Sequence, residues 1–207
     1  DKVTNRKKLL NKNKCSTLIP SLLEKDKVIL YSPTWRDHDL SMSFPISAID
    51  GFNLSSFNDF LQDQHTYLLI SKHPLVSKLE DFSKYKQIQY ISYDPLFDIN
   101  ELLPEIDLLI TDYSSIATDF MLLDRPVIYV MPDYDYFLYD RGLLEDMRKS
   151  LAGKEAKNMN ELFEFIALYF RSPKTDEGKR KYYLSKYYDT KITNSCELFH
   201  NFIKSLI

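Results

Sequence analysis

Five short apolar runs set the tightest limit on what this chain can fold into: Val28 to Ser32, Tyr67 to Ser71, Ile88 to Ile91, Leu108 to Thr111 and Val127 to Val130. None alternates apolar with polar residues. Each run therefore reads as a strand covered on both faces, as in a parallel sheet rather than an antiparallel sheet with one wet side. Helical patterns fall between several of them, at 54–64, 75–85, 98–103 and 115–123. Strands alternating with helices argue a doubly wound α/β sheet. In such sheets ligands sit beyond the carboxyl ends of the strands.

Polar motifs gather at that edge. Thr34-Trp-Arg-Asp37 follows the first strand, Lys72-His-Pro74 the second, Asp112-Tyr-Ser-Ser115 the fourth and Met131-Pro-Asp-Tyr134 the fifth. The stretch 107–126 is the most informative: a buried strand enters a polar turn, a short amphipathic helix starts, and another buried strand follows. A serine-rich turn at a helix start brings hydroxyls and unpaired amides to its positive end, which suits a phosphate or diphosphate. A Glu or Gln three residues after the cap often satisfies such amides. Here that position is Ala117 or Thr118, so donors are expected to stay open for a ligand. An ordinary serine-capped helix is the other reading.

Composition excludes several classes. The 207 residues, 44% hydrophobic, suffice for one large domain with a helical tail. The formal charge of −3 gives no global case for nucleic acid. Lys and Arg cluster in the first 14 residues and again over 174–191. Either segment suits an anionic membrane or polymer, though solvated helix faces explain both as well. The two cysteines, Cys15 and Cys196, form no CxxC pair, which fits a reducing compartment. His38, His65, His73 and His200 show no HxH or HExxH spacing, and no structural metal is expected. The four glycines form neither GxGxxG nor a P-loop, so a nucleotide must be held another way. No apolar run is long enough to span a membrane, and no signal peptide opens the chain.

Three segments are expected. Residues 1–26 form a helical or linker segment, 27–155 the ligand-binding α/β domain, and 156–207 helices that pack on it. Residues 133–153 read as a loop, and 159–171, 176–188 and 192–206 as helices, the first with Leu162, Phe163, Phe165, Ile166, Tyr169 and Phe170 at helical spacing.

Taken together, Tyr31-Ser-Pro-Thr-Trp-Arg-Asp37, Ser71-Lys-His-Pro74, Ile110-Thr-Asp-Tyr-Ser-Ser115 with Asp119, Leu123-Asp-Arg-Pro126 and Tyr139-Asp-Arg-Gly-Leu143 resemble the motifs of CDP-glycerol:poly(glycerophosphate) glycerophosphotransferases. These are the teichoic acid polymerases and primases and related capsule polymerases. The likeness covers about residues 28–145. The tail departs from it: Asp189-Thr-Lys-Ile-Thr-Asn-Ser195 stands where that family carries an Asp-Gly-Lys-Ala-Ser-Glu-Arg-like segment.

The resemblance implies the Rossmann-like C-terminal half of a GT-B fold, the half that holds the nucleotide donor. It implies CDP-glycerol or a related donor as substrate, no other cofactor, and a lipid-linked polymer as acceptor. It also implies an N-terminal GT-B domain as partner. The His-Gly-Thr motif of that domain, the implied general base, is nowhere in the sequence. The isolated chain is then expected to bind donor but to catalyse poorly or not at all. Lipid-linked acceptors and the lack of a membrane span together place it in the cytoplasm, peripheral at the inner face of the bacterial membrane.

The implied reaction is attack by a polymer hydroxyl on the β-phosphorus of a CDP-alditol, releasing CMP. It needs positioning and neutralised phosphate charge. His73 is expected to be catalytic, binding the diphosphate and stabilising the leaving CMP. Ser114 and Ser115 are expected to cradle phosphate. Arg36 offers it a bidentate fork, or else forms a structural network with Asp37. Asp119 is expected on glycerol or ribose hydroxyls, while Asp112 either contacts the donor or braces its turn. Trp35 stacks or, more simply, packs. Two rivals stand beside this reading: a GT-B sugar-nucleotide glycosyltransferase or epimerase, which would prefer uridine, and a non-catalytic binding module. A receiver-like signalling domain is disfavoured, because the carboxylates do not form its acidic cluster.

Overall fold

The computed structural model describes residues 13–36, 44–71, 79–91, 98–143, 146–188 and 194–206. Six strands form one sheet: β1 (Lys27–Ser32), β2 (Thr66–Ile70), β3 (Ile88–Tyr90), β4 (Leu108–Thr111), β5 (Val127–Tyr129) and β6 (Lys154–Glu155). Their order is β3-β2-β1-β4-β5-β6, and every neighbouring pair is parallel. The helices are α1 (Asn13–Leu18), α2 (Leu54–Asp63), α3 (Ile116–Phe120), α4 (Tyr134–Asp140), α5 (Met159–Arg171), α6 (Glu177–Tyr187) and α7 (Ser195–Ser205).

The period of two along each strand divides the core into two layers. Val28, Leu30, Leu109, Val127 and Tyr129 face one side, where they meet Phe120 of α3 and Tyr183 of α6. Ile29, Tyr31, Leu108, Ile110 and Ile128 face the other, against Phe57 and Leu61 of α2 and Leu162 and Ile166 of α5. Helices cover both faces, which is why the strands read as unbroken apolar runs. The sheet is doubly wound and Rossmann-like, as expected.

The strand order reverses between β1 and β4. The chain leaves β1 toward β2 through α2, on one face; it returns at β4 and leaves through α3, on the other. Because α2 and α3 diverge to opposite faces, the carboxyl ends of β1 and β4 have a crevice between them.

Several expectations are corrected. Of the helix expected over 75–85, residues 79–85 carry no helix and the remainder lies outside the described residues. The 98–103 helix is instead two 3-10 turns, Ile99–Glu101 and Leu103–Glu105, with Pro104 unable to donate an amide to a continuing α-helix. The expected loop 133–153 holds α4, which buries Tyr134 and Phe137, and a 3-10 turn at Met147–Lys149. β6 was not expected, being two half-buried polar residues at the sheet edge. The helix over 159–171 is found with those bounds as α5, its cap Asn158 accepting from the Glu161 amide at 2.9 Å.

Two glycines are required by geometry. At Gly153 a Cβ would lie 1.9 Å from the Val127 carbonyl oxygen, so only glycine lets β6 enter beside β5. Gly142, at φ +70°, terminates α4 by donating its amide to Leu138 O at 3.1 Å. α7 buries none of its residues, and its apolar stripe, with Phe199 64% and Leu206 67% exposed, faces outward. No helix among the described residues is long and apolar enough to cross a membrane.

Candidate functional site

The last paired residues of β1 and β4, Ser32 and Thr111, are tied by the Thr111 hydroxyl, which donates to Ser32 O at 2.7 Å. Beyond them the chains diverge into two loops, and a charged network joins these loops from below. Asp112 is buried and accepts from Thr34 N at 2.8 Å and from Thr34 Oγ1 at 2.7 Å. Arg36, with a side chain 0% exposed, sends Nη1 to Asp112 Oδ2 and to Thr34 O. Its Nε and Nη2 reach the two oxygens of Asp133, each at 3.0 Å. Asp133 follows β5, so the one guanidinium links the carboxyl ends of three strands.

Tyr113 completes the floor. Its hydroxyl donates to Asp133 Oδ1 at 3.0 Å, its ring stacks on Phe137 of α4 at 3.8 Å, and the Arg36 guanidinium lies 5.2 Å from its centroid. Burial works against the charge of Arg36, but its bonds to Asp133 and the charge of Asp112 outweigh this and hold its pKa up. Burial likewise favours the neutral form of Asp133; the Arg36 hydrogen bonds and charge prevail and hold the carboxyl below its ordinary value. Burial, then the charge of Asp133, pushes the Tyr113 phenol up, so it stays a neutral donor.

Above this floor opens a cleft of about 710 Å³. Thr34 and Trp35 line it from the β1 loop, Ser114 and Ser115 from the β4 loop, and Arg141 and Gly142 from the end of α4. The expected cradle residues Ser114 and Ser115 thus do face one cavity. The helix beneath them is shorter than expected, at five residues, and no side chain caps it. Its amides are less open than anticipated: Ala117 N donates to Ser114 O at 3.3 Å and Thr118 N to Ser115 O at 2.9 Å. The Ile116 amide lies 3.5 Å from Ser114 Oγ. Ser115 is exposed, Ser114 half-buried.

The other expected site residues fall differently. Arg36 presents no open fork, since four of its N–H groups already meet protein acceptors; the network reading applies, with Asp112 and Asp133 as partners. Asp112 braces the turn. Asp119 does not line the cleft; it accepts from Tyr188 Oη at 2.7 Å, because its side chain reaches toward the segment after α6. His73 lies outside the described residues, as do Asp37, Lys72 and Pro74. Ser71, which precedes that segment, lines the cleft and donates its amide to Tyr31 O at 2.9 Å. Asp133, Tyr113 and Phe137 are not expected site residues, and Arg141 is expected only as part of a turn with Gly142. For Asp133 the available signal was a carboxylate just after a buried strand, at the same edge as Asp112.

An open α/β sheet with a serine-lined cleft at its switch point is the doubly wound class, in which ligands sit beyond the carboxyl ends of the strands. Comparison with known proteins narrows the class. The family model for CDP-glycerol:poly(glycerophosphate) glycerophosphotransferase matches residues 4–204, and the chain belongs to that family. It is 34% identical over 172 residues to a teichoic acid poly(glycerol phosphate) polymerase of Bacillus spizizenii, covering 81% of this chain and 41% of the relative. It is 30% identical over 200 residues to a teichoic acid glycerol-phosphate primase of Bacillus subtilis, covering 95% of this chain and 48% of the relative. Among solved structures, the wall teichoic acid polymerase TagF superposes with a TM-score of 0.74 at 25% identity, over 98% of this chain and 49% of that one. The chain thus spans less than half the length of these relatives.

Proposed function

We propose that this chain is the donor-binding half of a glycerophosphotransferase that moves glycerol phosphate, or a related alditol or sugar phosphate, from a CDP-activated donor to a cell-wall or capsule polymer. The observation that carries the reading is the cleft at the β1–β4 switch point, faced by Ser114 and Ser115 and braced from below by Arg36, Asp112 and Asp133. The acceptor hydroxyl oxygen forms a new bond to the β-phosphorus, the bond to the CMP oxygen breaks, and the hydroxyl proton leaves to a base. Such a transfer depends on holding the phosphates in line and offsetting their charge.

In this reading the serine hydroxyls bind phosphate, and the buried network keeps the two loops at a fixed spacing before the donor arrives. Family membership supports CDP-glycerol as donor. The general base would come from the part of the relatives that this chain does not span, together with the lipid-linked acceptor site. In this reading the lipid-linked acceptor brings the reaction to the inner face of a membrane, and the activated donor is the substrate, with no further cofactor.

Calorimetric titration of the chain with CDP-glycerol, CDP, CMP and UDP tests this. Cytidine-selective binding, weakened in a Ser114→Ala, Ser115→Ala double variant, is expected. A uridine preference would move the domain to the sugar-nucleotide enzymes. Absence of binding by all four would remove the donor-site reading.

A further inference from the structure

We propose that Arg141 is a cation that meets the diphosphate of the donor, an assignment that rests on the donor-site reading above. Both phosphates of a nucleoside diphosphate ester are ionised, and serine hydroxyls alone cannot offset that charge. Among the described residues lining the cleft, Arg141 is the one that carries a charge. The other arginine at this edge, Arg36, lies beneath the floor with its charge matched by two carboxylates. The positive charge expected of the site at Arg36 is therefore met in the cleft by Arg141.

The backbone fixes where Arg141 stands. It is the C-cap of α4, its amide donating to Phe137 O at 2.9 Å, and the next residue, Gly142, turns the chain away at positive φ. Phe137, one turn earlier, is stacked on Tyr113 at 3.8 Å. The same helix thus ties Arg141 to the β4 loop that carries Ser114 and Ser115. A cation is also favoured at a helix C-terminus. The guanidinium carbon lies 5.9 Å from the Trp35 ring centroid, so the indole supports it from the β1 side of the cleft. It also pairs with Asp140 at 3.7 Å, and 40% of the side chain is exposed. An arginine held against an aromatic face and lining the same cleft as Ser114 and Ser115 suits charge-assisted recognition of phosphate oxygens.

Trp35 is the single tryptophan of the chain, so its emission reports on this site alone. The test is a fluorescence titration with CDP-glycerol of the full chain, its Arg141→Ala and Arg141→Lys variants, at several NaCl concentrations, with thermal melts to verify folding. Arg141→Ala is expected to weaken binding by about tenfold or more, the loss of a charge-assisted contact. It should also flatten the dependence of affinity on salt. Arg141→Lys should recover part of the affinity, since it restores the charge but not the fork; it also serves should the alanine variant not fold. If Arg141 merely packs on Trp35, the alanine variant will shift the emission of the ligand-free protein yet bind CDP-glycerol with unchanged affinity and salt dependence. That outcome overturns this assignment alone. A wild-type chain that gives no response to CDP-glycerol overturns the donor-site reading and this assignment with it.

Discussion

Arg36 and Asp133 meet fork to fork, Nε and Nη2 of the one each 3.0 Å from a separate oxygen of the other. They are 97 residues apart in sequence and almost wholly withdrawn from water, with side chains 0% and 9% exposed. A pair so placed fixes distances: it holds the loop after β1 against the loop after β5, with Asp112 of the β4 loop on the remaining guanidinium nitrogen.

Arg36→Lys is expected to destabilise the fold strongly. An ammonium cannot span both carboxylates, and breaking a buried pair costs about 3–5 kcal/mol because an uncompensated charge stays inside. Urea denaturation should show a lower midpoint with an unchanged slope. A midpoint equal to wild type would mean that the network contributes nothing to stability.

The same contact predicts an acid limb. Burial alone would raise Asp133, but Arg36 holds it below its ordinary value, so its contribution is complete above the unfolded carboxylate value of about 3.9 and is lost as pH falls through the lower folded value. The urea midpoint of the wild type should therefore decline below about pH 4. Asp133→Asn should start lower at neutral pH and decline less. Parallel curves for the two proteins would show that another carboxylate governs the limb.

Asp119 and Tyr188 should behave as a tether between α3 and the segment after α6. Each of Asp119→Ala and Tyr188→Phe is expected to lose about 1 kcal/mol, and the double variant little more than either alone. CDP-glycerol affinity should be the same in all of them, since Asp119 does not line the cleft. Loss of affinity in Asp119→Ala without a matching loss in Tyr188→Phe would return Asp119 to the ligand.

Two glycines should respond in opposite directions to alanine. Gly153→Ala drives a methyl into the Val127 carbonyl and is expected to cost about 3 kcal/mol. At Gly178, inside the first turn of α6, a Cβ meets nothing within 4 Å, and alanine should add about 0.5–1 kcal/mol. Thermal melts of the two variants should therefore bracket the wild type.

The central strands could be read from sequence because burial on both faces makes them apolar without interruption; Leu108–Thr111 appears with the expected bounds. β6 could not be read, since Lys154 and Glu155 are two polar residues whose strand character exists only beside Ile128 and Tyr129. Nor could α4, whose Tyr134-Asp-Tyr-Phe-Leu-Tyr-Asp140 is short and rich in residues of middling helix propensity. At the site, the Ser114–Ser115 turn was legible because strand, turn and helix are contiguous there. The partners of Arg36 were not: local sequence offered Asp37, and only the sheet order carries Asp133 to the same edge. The bond from Tyr188 to Asp119 was not legible, because a motif records which residues recur together, not which way a side chain on a short helix turns.

The bare stripe of α7 governs how this polypeptide behaves in the hand. Leu198, Phe199, Phe202, Ile203 and Leu206 give it an oily edge beside a charged surface, the make-up of a surfactant. Such a molecule gathers at air–liquid boundaries and on plastic walls, and self-adhesion grows with concentration. Titrations on the isolated chain therefore belong at low micromolar protein with a trace of mild detergent, where adhesion does not pass for affinity.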